Sequence, residues 1–491
     1  MIRVGLARTL PHYQGLAPPW DPGKAWPELA ALGPDTGSAT PNHVYAAVRA
    51  ALAGAGLDAE RAGSADWNPF GALVRRGGTV ALKPNFIRHW NPCPGQSVES
   101  VITHGALLRA CADYAFLAVG PGGRVVLAEA PQHDCEWERI RELAGLDALA
   151  RSYEARGLEL ELVDLRREAV RYRDGVIVER RALPGDPAGY RLVDLGAHSY
   201  FDDSGLDPRR FRGADYDPGP TSSHHQGGRN EYLLSETVLR ADLLVNLPKL
   251  KTHKKTGVTL ALKNLVGING DKNLLPHHCV GPEASGGDEF PGAGWLDRAR
   301  SRASELARWL LARGLGTGLV RAVRRAENRV RGESFPRSGN WHGNRTTWRM
   351  VLDLNRCLYY SDAQGARFDA PTPVRRVLHV LDGVVAGEGE GPLAPRDRPL
   401  GAVLASTDPI ALDLAAVRLM GYDERRLPKI REAMAAGALR VTEVRETSDV
   451  QVCEVDTTTL VQRPQPVDAI RCERVFAAHP GWRGQVERAP A

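Results

Sequence analysis

The chain has 491 residues, of which 43% are hydrophobic and 25% charged, and its net charge is +5. This composition is typical of a globular protein with a sizeable core, and the balanced charge does not favour a nucleic-acid partner. No segment approaches the roughly 20 uninterrupted apolar residues of a membrane span. Seven cysteines are scattered singly without a C-x-x-C pair, and the N-terminus shows no signal-peptide pattern. We therefore expect a cytoplasmic protein without an iron–sulfur cluster.

Apolar runs and helical periodicities alternate along the first part of the chain. The runs at residues 2–7, 79–82 and 124–130 predict strands, whereas residues 43–56 and 107–119 have the apolar spacing of helices. Alternation of strands and helices is typical of parallel α/β units. Arginine greatly outnumbers lysine, and alanine, glycine and proline are frequent. That composition indicates a bacterial gene of high GC content.

The second half repeats this alternation around a helical insertion. DLLV, VLHVL and LGAVLA predict further strands, and Thr407, Asp408 and Pro409 form a helix start, with Gly421 as its end. Residues 295–331 predict amphipathic helices with an arginine-rich face.

We thus predict an α/β fold with an open, mostly parallel sheet flanked by helices and a helical insertion. Four parts are expected: an N-terminal α/β part (1–240), a central Lys/His segment (241–294), the basic insertion (295–345) and a C-terminal part completing the same core (346–491).

The central segment has the densest polar chemistry in the chain. A buried strand stops at Asn246 and Pro248, and lysines and histidines follow within a few residues. Five predicted strands, after TVAL, RVVLA, DLLV, VLHVL and LGAVLA, end in polar groups. If they are parallel neighbours, these groups converge on one sheet edge, where α/β proteins bind their ligands.

The residue types suggest binding of an anion and acid–base chemistry. Lysines bind carboxylates or phosphates as point charges, and a desolvated lysine can act as a base or nucleophile. We assign catalytic candidates to Lys251, His253 and Lys263. The substrate-binding candidates are Lys83, Asn85, Lys249 and Asn264. Solvated surface lysines are the alternative interpretation, which we favour for Lys254 and Lys255.

Carboxylates and histidines near this segment suggest a divalent metal as cofactor. Paired carboxylates bind divalent cations, and imidazoles are common metal ligands. The candidate ligands are Asp382, Glu388, Glu390, His277 and His278. No HExxH zinc motif is present, and an exposed acidic turn or a single acid–base histidine remain alternatives. We expect Lys251, His253 and Lys263 to face the carboxylates of residues 382–390 across a pocket.

Four segments carry a resemblance to a known family. VALKPNF, ADLLVNLPKLKTHKKTGVTLALKNLVG, LDGVVAGEGEGP and STDPIALDLAAVRLMG span residues 80–421, and the long second segment is the most specific. The chain resembles the bacterial and archaeal family numbered 362 among the domains of unknown function. The matching positions are Lys83, Asn85, Lys249, Lys251, His253, Lys263, Asn264, Asp382, Glu388, Gly391, Asp408 and Asp413.

The resemblance implies no particular reaction. Many members of that family carry a ferredoxin-like cluster-binding segment, whose cysteines this chain lacks, so electron transfer is not implied. The family usually has an aspartate at the position of Glu129.

Two other functions remain open beside an enzyme acting on a small or conjugated anionic substrate. One is a non-catalytic scaffold that binds an anionic partner through Arg298–Arg331, and the other is a metal-cofactor isomerase or racemase. The common nucleotide-binding and nucleophile-elbow motifs are absent, which disfavours the usual nucleotide-dependent mechanisms.

Overall fold

The computed structural model describes residues 1–33, 40–292, 294–318, 320–322 and 338–488. The strands there are β1 (Ile2–Arg8), β2 (Thr79–Lys83), β3 (Arg124–Glu129), β4 (Leu160–Asp164), β5 (Glu168–Arg173), β6 (Val176–Ala182), β7 (Tyr190–Asp194), β8 (Phe211–Arg212), β9 (Glu231–Ser235), β10 (Leu243–Asn246), β11 (Lys249–His253), β12 (Gly257–Val258), β13 (His278–Cys279), β14 (Arg376–Glu390), β15 (Ala394–Ser406), β16 (Val450–Val455) and β17 (Gln462–Pro466).

The α-helices named here are α1 (His43–Gly54), α2 (Gly105–Val119), α3 (Trp137–Leu143), α4 (Leu146–Glu154), α5 (Gly219–Ser223), α6 (Glu236–Arg240), α7 (Leu260–Asn264), α8 (Trp295–Ala312), α9 (Thr347–Tyr359), α10 (Pro409–Met420) and α11 (Pro428–Met434). Short 3₁₀ turns connect several of them. None of the helices in the described ranges combines the length and apolar character that crossing a membrane requires.

A large mixed sheet organises the molecule, with strand order β17–β16–β1–β15–β14–β10–β2–β3–β4. β14, β10, β2, β3 and β4 are mutually parallel neighbours, and β11 continues the sheet alongside the second half of β14. The predicted α/β class with an open, mostly parallel sheet is confirmed.

Two apolar layers cover the sheet because successive strand residues point to opposite faces. Val80 and Leu82 pack into the layer that holds α1 and α2, whereas Ala81 packs into the layer that holds α7, α9 and α10. The Lys83 side chain points to the same face of the sheet as that of Ala81, because the two residues are two positions apart. It therefore emerges from the end of β2 on the face where α7 lies.

β14 and β15 differ from what the sequence predicts. β14 continues through the Gly–Glu–Gly–Glu stretch that resembled a loop, because β11 and β15 satisfy its backbone on both sides. β15 runs antiparallel to β14, so only four of the five expected strand ends meet at one edge. Thr407 and Asp408 lie at the opposite end of the sheet.

There, Asp408 caps α10 by accepting from the backbone N–H groups of Ile410 and Ala411, both at 2.9 Å. Pro409 is the first residue of the helix, and Gly421 ends it with a φ of 76°. The predicted start and end of this helix are therefore confirmed.

α8 is the long helix of the basic insertion, whose described residues are 295–318, 320–322 and 338–345. Its arginines make local ion pairs, including Arg300 with Asp297 at 2.9 Å and Arg308 with Glu305 at 3.7 Å. Residues 323–331, the end of the predicted insertion helices, lie outside the described residues.

Candidate functional site

A cleft of about 310 Å³ opens where β2 and β3 end, beside β11 and α7. The chain has nine lysines, and five of them line this cleft: Lys83, Lys254, Lys255, Lys263 and Lys272. Arg308 of α8 adds a sixth cationic side chain, whereas Glu129 is the single carboxylate among the described lining residues. The cleft is therefore strongly cationic.

A buried ion pair forms the inner wall of the cleft. Lys83 Nζ donates to Glu129 Oε2 at 2.6 Å and to the carbonyl oxygen of Pro84 at 2.7 Å. Burial lowers the pKa of Lys83 and raises the pKa of Glu129, while their mutual attraction opposes both shifts. The pair fixes the position of both groups at the carboxyl ends of neighbouring parallel strands.

Gly267 allows the chain to approach this pair closely. A Cβ atom at that position would lie 1.9 Å from Glu129 Oε1 and 2.6 Å from Lys83 Nζ. The Gly267 carbonyl also accepts from the backbone N–H of Ala130 at 2.9 Å, which fixes its backbone against the end of β3. Only a residue without a side chain fits there.

Asn264 joins the ion pair to the neighbouring strands. Its Oδ1 accepts from Asn85 Nδ2 at 2.6 Å and from Lys83 Nζ at 3.3 Å, and its Nδ2 donates to Asn246 Oδ1 at 2.7 Å. Lys83, Asn85 and Asn264, predicted as substrate-binding residues, thus lie together in one network at the cleft wall.

The turn into α7 is held in an uncommon backbone conformation. Leu260 has a φ of 53°, a region that residues with a side chain rarely adopt. Asp413 accepts from the Ala261 N–H at 2.7 Å, and Lys429 donates to the Thr259 carbonyl at 2.8 Å and to Asp413 at 3.1 Å. This buried pair orients the helix that carries Lys263 and Asn264.

Lys263 is a cleft lysine whose surroundings favour the uncharged amine. Burial, reinforced by the nearby charges of Lys272, Lys429 and Lys83, lowers its pKa to about 7. Its Nζ has no hydrogen-bond partner in the described part of the chain. At neutral pH a substantial share of this side chain is therefore an uncharged amine.

The His253 ring offers the cleft a hydrogen-bond donor and not a base. Its Nδ1 accepts from the backbone N–H groups of Lys255 and Thr256 at 3.1 and 3.2 Å, so the proton of the neutral ring is on Nε2. Burial and the surrounding lysines lower its pKa well below the ordinary value. The ring is neutral at physiological pH, and Nε2–H is its only donor.

Three buried polar atoms along the cleft lack a hydrogen-bond partner among the described residues. They belong to Asn85 (Oδ1), Thr259 (Oγ1) and His278 (Nε2), all of which line the cleft. Buried polar groups in proteins are nearly always paired, so unpaired ones call for a specific explanation. A polar ligand in the cleft would supply it.

Lys249 and Lys251 do not line the cleft. Lys249 Nζ lies 2.9 Å from Asp382 Oδ2, and both side chains are completely buried. Lys251, also completely buried, donates to the carbonyl of Val101, and burial lowers its pKa well below the usual range. Of the three predicted catalytic residues, His253 and Lys263 therefore line the cleft and Lys251 lies away from its surface.

The carboxylates of residues 382–390 also lie elsewhere. Asp382 is held by Lys249, and Glu388 accepts from the Ala477 N–H at 3.1 Å with Arg474 nearby at 3.5 Å. Glu390 ends β14 in an exposed position. The expected facing of these carboxylates across a pocket from Lys251, His253 and Lys263 is not what the structure shows.

His277 and His278 do line the cleft, away from the other three predicted metal ligands. His277 Nδ1 lies 2.8 Å from the carbonyl of Leu275, and burial among cations lowers its pKa to about 3. No group of three or more His, Cys, Asp or Glu side chains in the described ranges is arranged to hold a metal ion. The described residues therefore do not form a ligand set for the predicted divalent metal.

Glu129 and Lys272 line the cleft but were not assigned to the site from the sequence, and Lys255, expected on the solvated surface, is buried and lines the cleft together with Lys254. Glu129, which ends a correctly predicted strand, was set aside because the family usually has aspartate there. Lys272 donates to the Ala130 carbonyl at 2.8 Å, and burial lowers its pKa to about 8. The position of Glu129 at a strand end was a usable signal, whereas the local sequence contained none for Lys272.

A family model described as a domain of unknown function (DUF362) matches residues 174–418. The match confirms the resemblance drawn from the motifs, and it covers His253, Lys263 and Lys272 but not Lys83 or Glu129. Neither a curated protein nor a solved structure matches the chain.

Proposed function

Taking as premise that the chain resembles the DUF362 family, we propose that it is an enzyme whose lysine-rich cleft binds a small or conjugated anionic substrate. One observation carries the proposal: five of the nine lysines line a single cleft that contains one carboxylate among its described residues. Concentrating like charges in this way is unfavourable unless an anion compensates them.

The proposed chemistry assigns separate tasks to the cleft residues. Lys272 binds the anionic group, with Lys83 and Glu129 forming the inner wall. Lys263 exchanges a proton with the substrate, since a catalytic acid or base works best with a pKa near the operating pH. The Nε2–H of His253 donates to a substrate oxygen. A bound divalent cation, the scaffold role of the arginine-rich insertion and a cytoplasmic location stay predictions.

Binding of sulfate tests the anion site. Calorimetric titration should detect sulfate binding to the unaltered protein, and K272M should weaken it roughly ten- to hundredfold. The reason is that a hydrogen bond to a charged group contributes about 1.5–3 kcal/mol. K24M is the matched control because Lys24 is exposed and does not line the cleft.

Equal losses in K24M and K272M would show that sulfate binds non-specifically to the positively charged surface. No detectable binding to the unaltered protein would contradict the anion site itself.

The affinity for sulfate should fall as the pH rises from 6 to 9. Lys255 and Lys263, each with a pKa of about 7, and Lys272, with a pKa of about 8, are ammonium ions below these values and lose their charge above them. Sulfate keeps the same charge over this interval, so the change reports the protein. In K263M the part of the decrease between pH 6 and 8 should shrink, and a profile identical to that of the unaltered protein would contradict this assignment.

A further inference from the structure

We propose that Lys263 forms an imine with the substrate, which is therefore an anionic aldehyde or ketone. This inference deepens the proposed function and rests on it. It names both the substrate class and the atom that attacks it.

The position of Lys263 is the first support. It lines the cleft on α7, and its amine has no hydrogen-bond partner in the described part of the chain. Lys83, Lys255 and Lys272, by contrast, donate to Glu129, to the Ser338 carbonyl and to the Ala130 carbonyl. Lys254, the fifth cleft lysine, also interacts with another group. Lys263 thus differs from the other cleft lysines.

The electrostatic surroundings are the second support. The charged and titratable groups that influence Lys263 are Lys83, Glu129, Lys251, His253, Lys272, His277 and Lys429. Four of the seven are lysines and one is a carboxylate, so the uncharged amine is favoured over the ammonium ion. A lysine that is desolvated beside another cation is activated as a nucleophile in this way.

The step balances without any other reactant. The Lys263 lone pair attacks the carbonyl carbon, a C–N bond forms, and the C=O π electrons pass to the oxygen. One amine proton is transferred to that oxygen to give a carbinolamine, whose hydroxyl group then leaves as water together with the second amine proton, and a C=N bond remains. The Nε2–H of His253 lines the same cleft and would stabilise the developing oxyanion, while Lys272 holds the anionic group.

The anionic group distinguishes this substrate class from simple aldehydes. Binding needs charged lysines, whereas attack needs the uncharged form of Lys263. Formation of the imine should therefore show a maximum with pH: it rises as Lys263 loses its proton near pH 7 and falls as Lys272 does so near pH 8.

Reductive trapping tests the inference on the full chain. The protein is incubated with glyoxylate and cyanoborohydride at pH 7.5, and the modified lysines are identified by peptide mass spectrometry. Lys263 should be modified about tenfold or more faster than Lys24, which is exposed and lies outside the cleft. Excess sulfate should suppress the modification of Lys263 and leave that of Lys24 unchanged. With propionaldehyde, which has no carboxylate, the preference should decrease.

K263R is the matched variant because it keeps the positive charge and cannot form an imine. It should still bind sulfate, which shows that it is folded, and should lose the fast modification. Modification of Lys263 no faster than that of Lys24, or preferential modification of another cleft lysine, overturns the inference. If sulfate still binds in that case, the anion site stands and only the imine fails; if sulfate does not bind to the unaltered protein, both fail.

Discussion

Replacing Asp382 with alanine is expected to lower the free energy of unfolding by about 3–5 kcal/mol, because it leaves the buried ammonium group of Lys249 without its counter-ion. Asp382 lies 2.9 Å from Lys249 Nζ and also accepts from the Tyr13 hydroxyl at 2.5 Å and the His104 N–H at 3.0 Å. All of these donors lose their acceptor at once. Denaturation by guanidinium, followed by circular dichroism, measures the loss.

The double variant K249M/D382L is the control, since a buried pair replaced by apolar side chains of similar size is often tolerated. It should recover most of the lost stability. Sulfate affinity in both variants should stay within about twofold of the unaltered protein, because neither residue lines the cleft. A D382A protein that folds normally but no longer binds sulfate would show that this pair belongs to the ligand site.

The two halves of the Lys83–Glu129 pair are expected to change anion affinity in opposite directions. E129Q removes the carboxylate of the cleft and releases Lys83 from its ion pair, so sulfate should bind roughly tenfold more tightly. K83M leaves the Glu129 carboxylate unpaired beside the ligand, so binding should weaken by about tenfold or more. Calorimetric titration of both variants with sulfate provides the comparison.

Stability separates this effect from general damage to the fold. K83M should lose about 3–5 kcal/mol, because both partners are buried and one remains charged. The variant K83M/E129Q should regain much of this loss, since the unpaired charge is gone. Sulfate affinities that change in the same direction in E129Q and K83M would contradict a cleft that selects anions by charge.

The sequence predicted those parts of the site that local patterns determine. The strand end followed by Lys83 and Asn85 identified one wall, and the long motif identified His253 and Lys263. The sequence does not show how deeply each side chain of β11 is buried. Lys249, Lys251 and His253 occupy every second position of that strand, yet only His253 lies at the cleft. The first two are covered by β14 and by the backbone near Val101.

Residues 382–391 show why the positions of the acidic side chains could not be predicted. Glycines at 387, 389 and 391 suggested a loop, but the lack of a side chain at 387 and 391 serves close packing instead. A Cβ at Gly387 would lie 2.9 Å from the Ser100 carbonyl, and one at Gly391 would lie 2.2 Å from the Thr252 carbonyl. Glycine that permits close approach and glycine that permits a turn look the same in a sequence.

The position of β1 has a consequence for how the chain folds during synthesis. β1 lies between β15 and β16, so its partners are residues 402–405 and 450–455. Val4 and Leu6 are buried in the finished sheet. They stay without strand partners until residues 402–405 have left the ribosome. During that time β1 is an unpaired apolar strand, which exposes it to aggregation and to capture by chaperones.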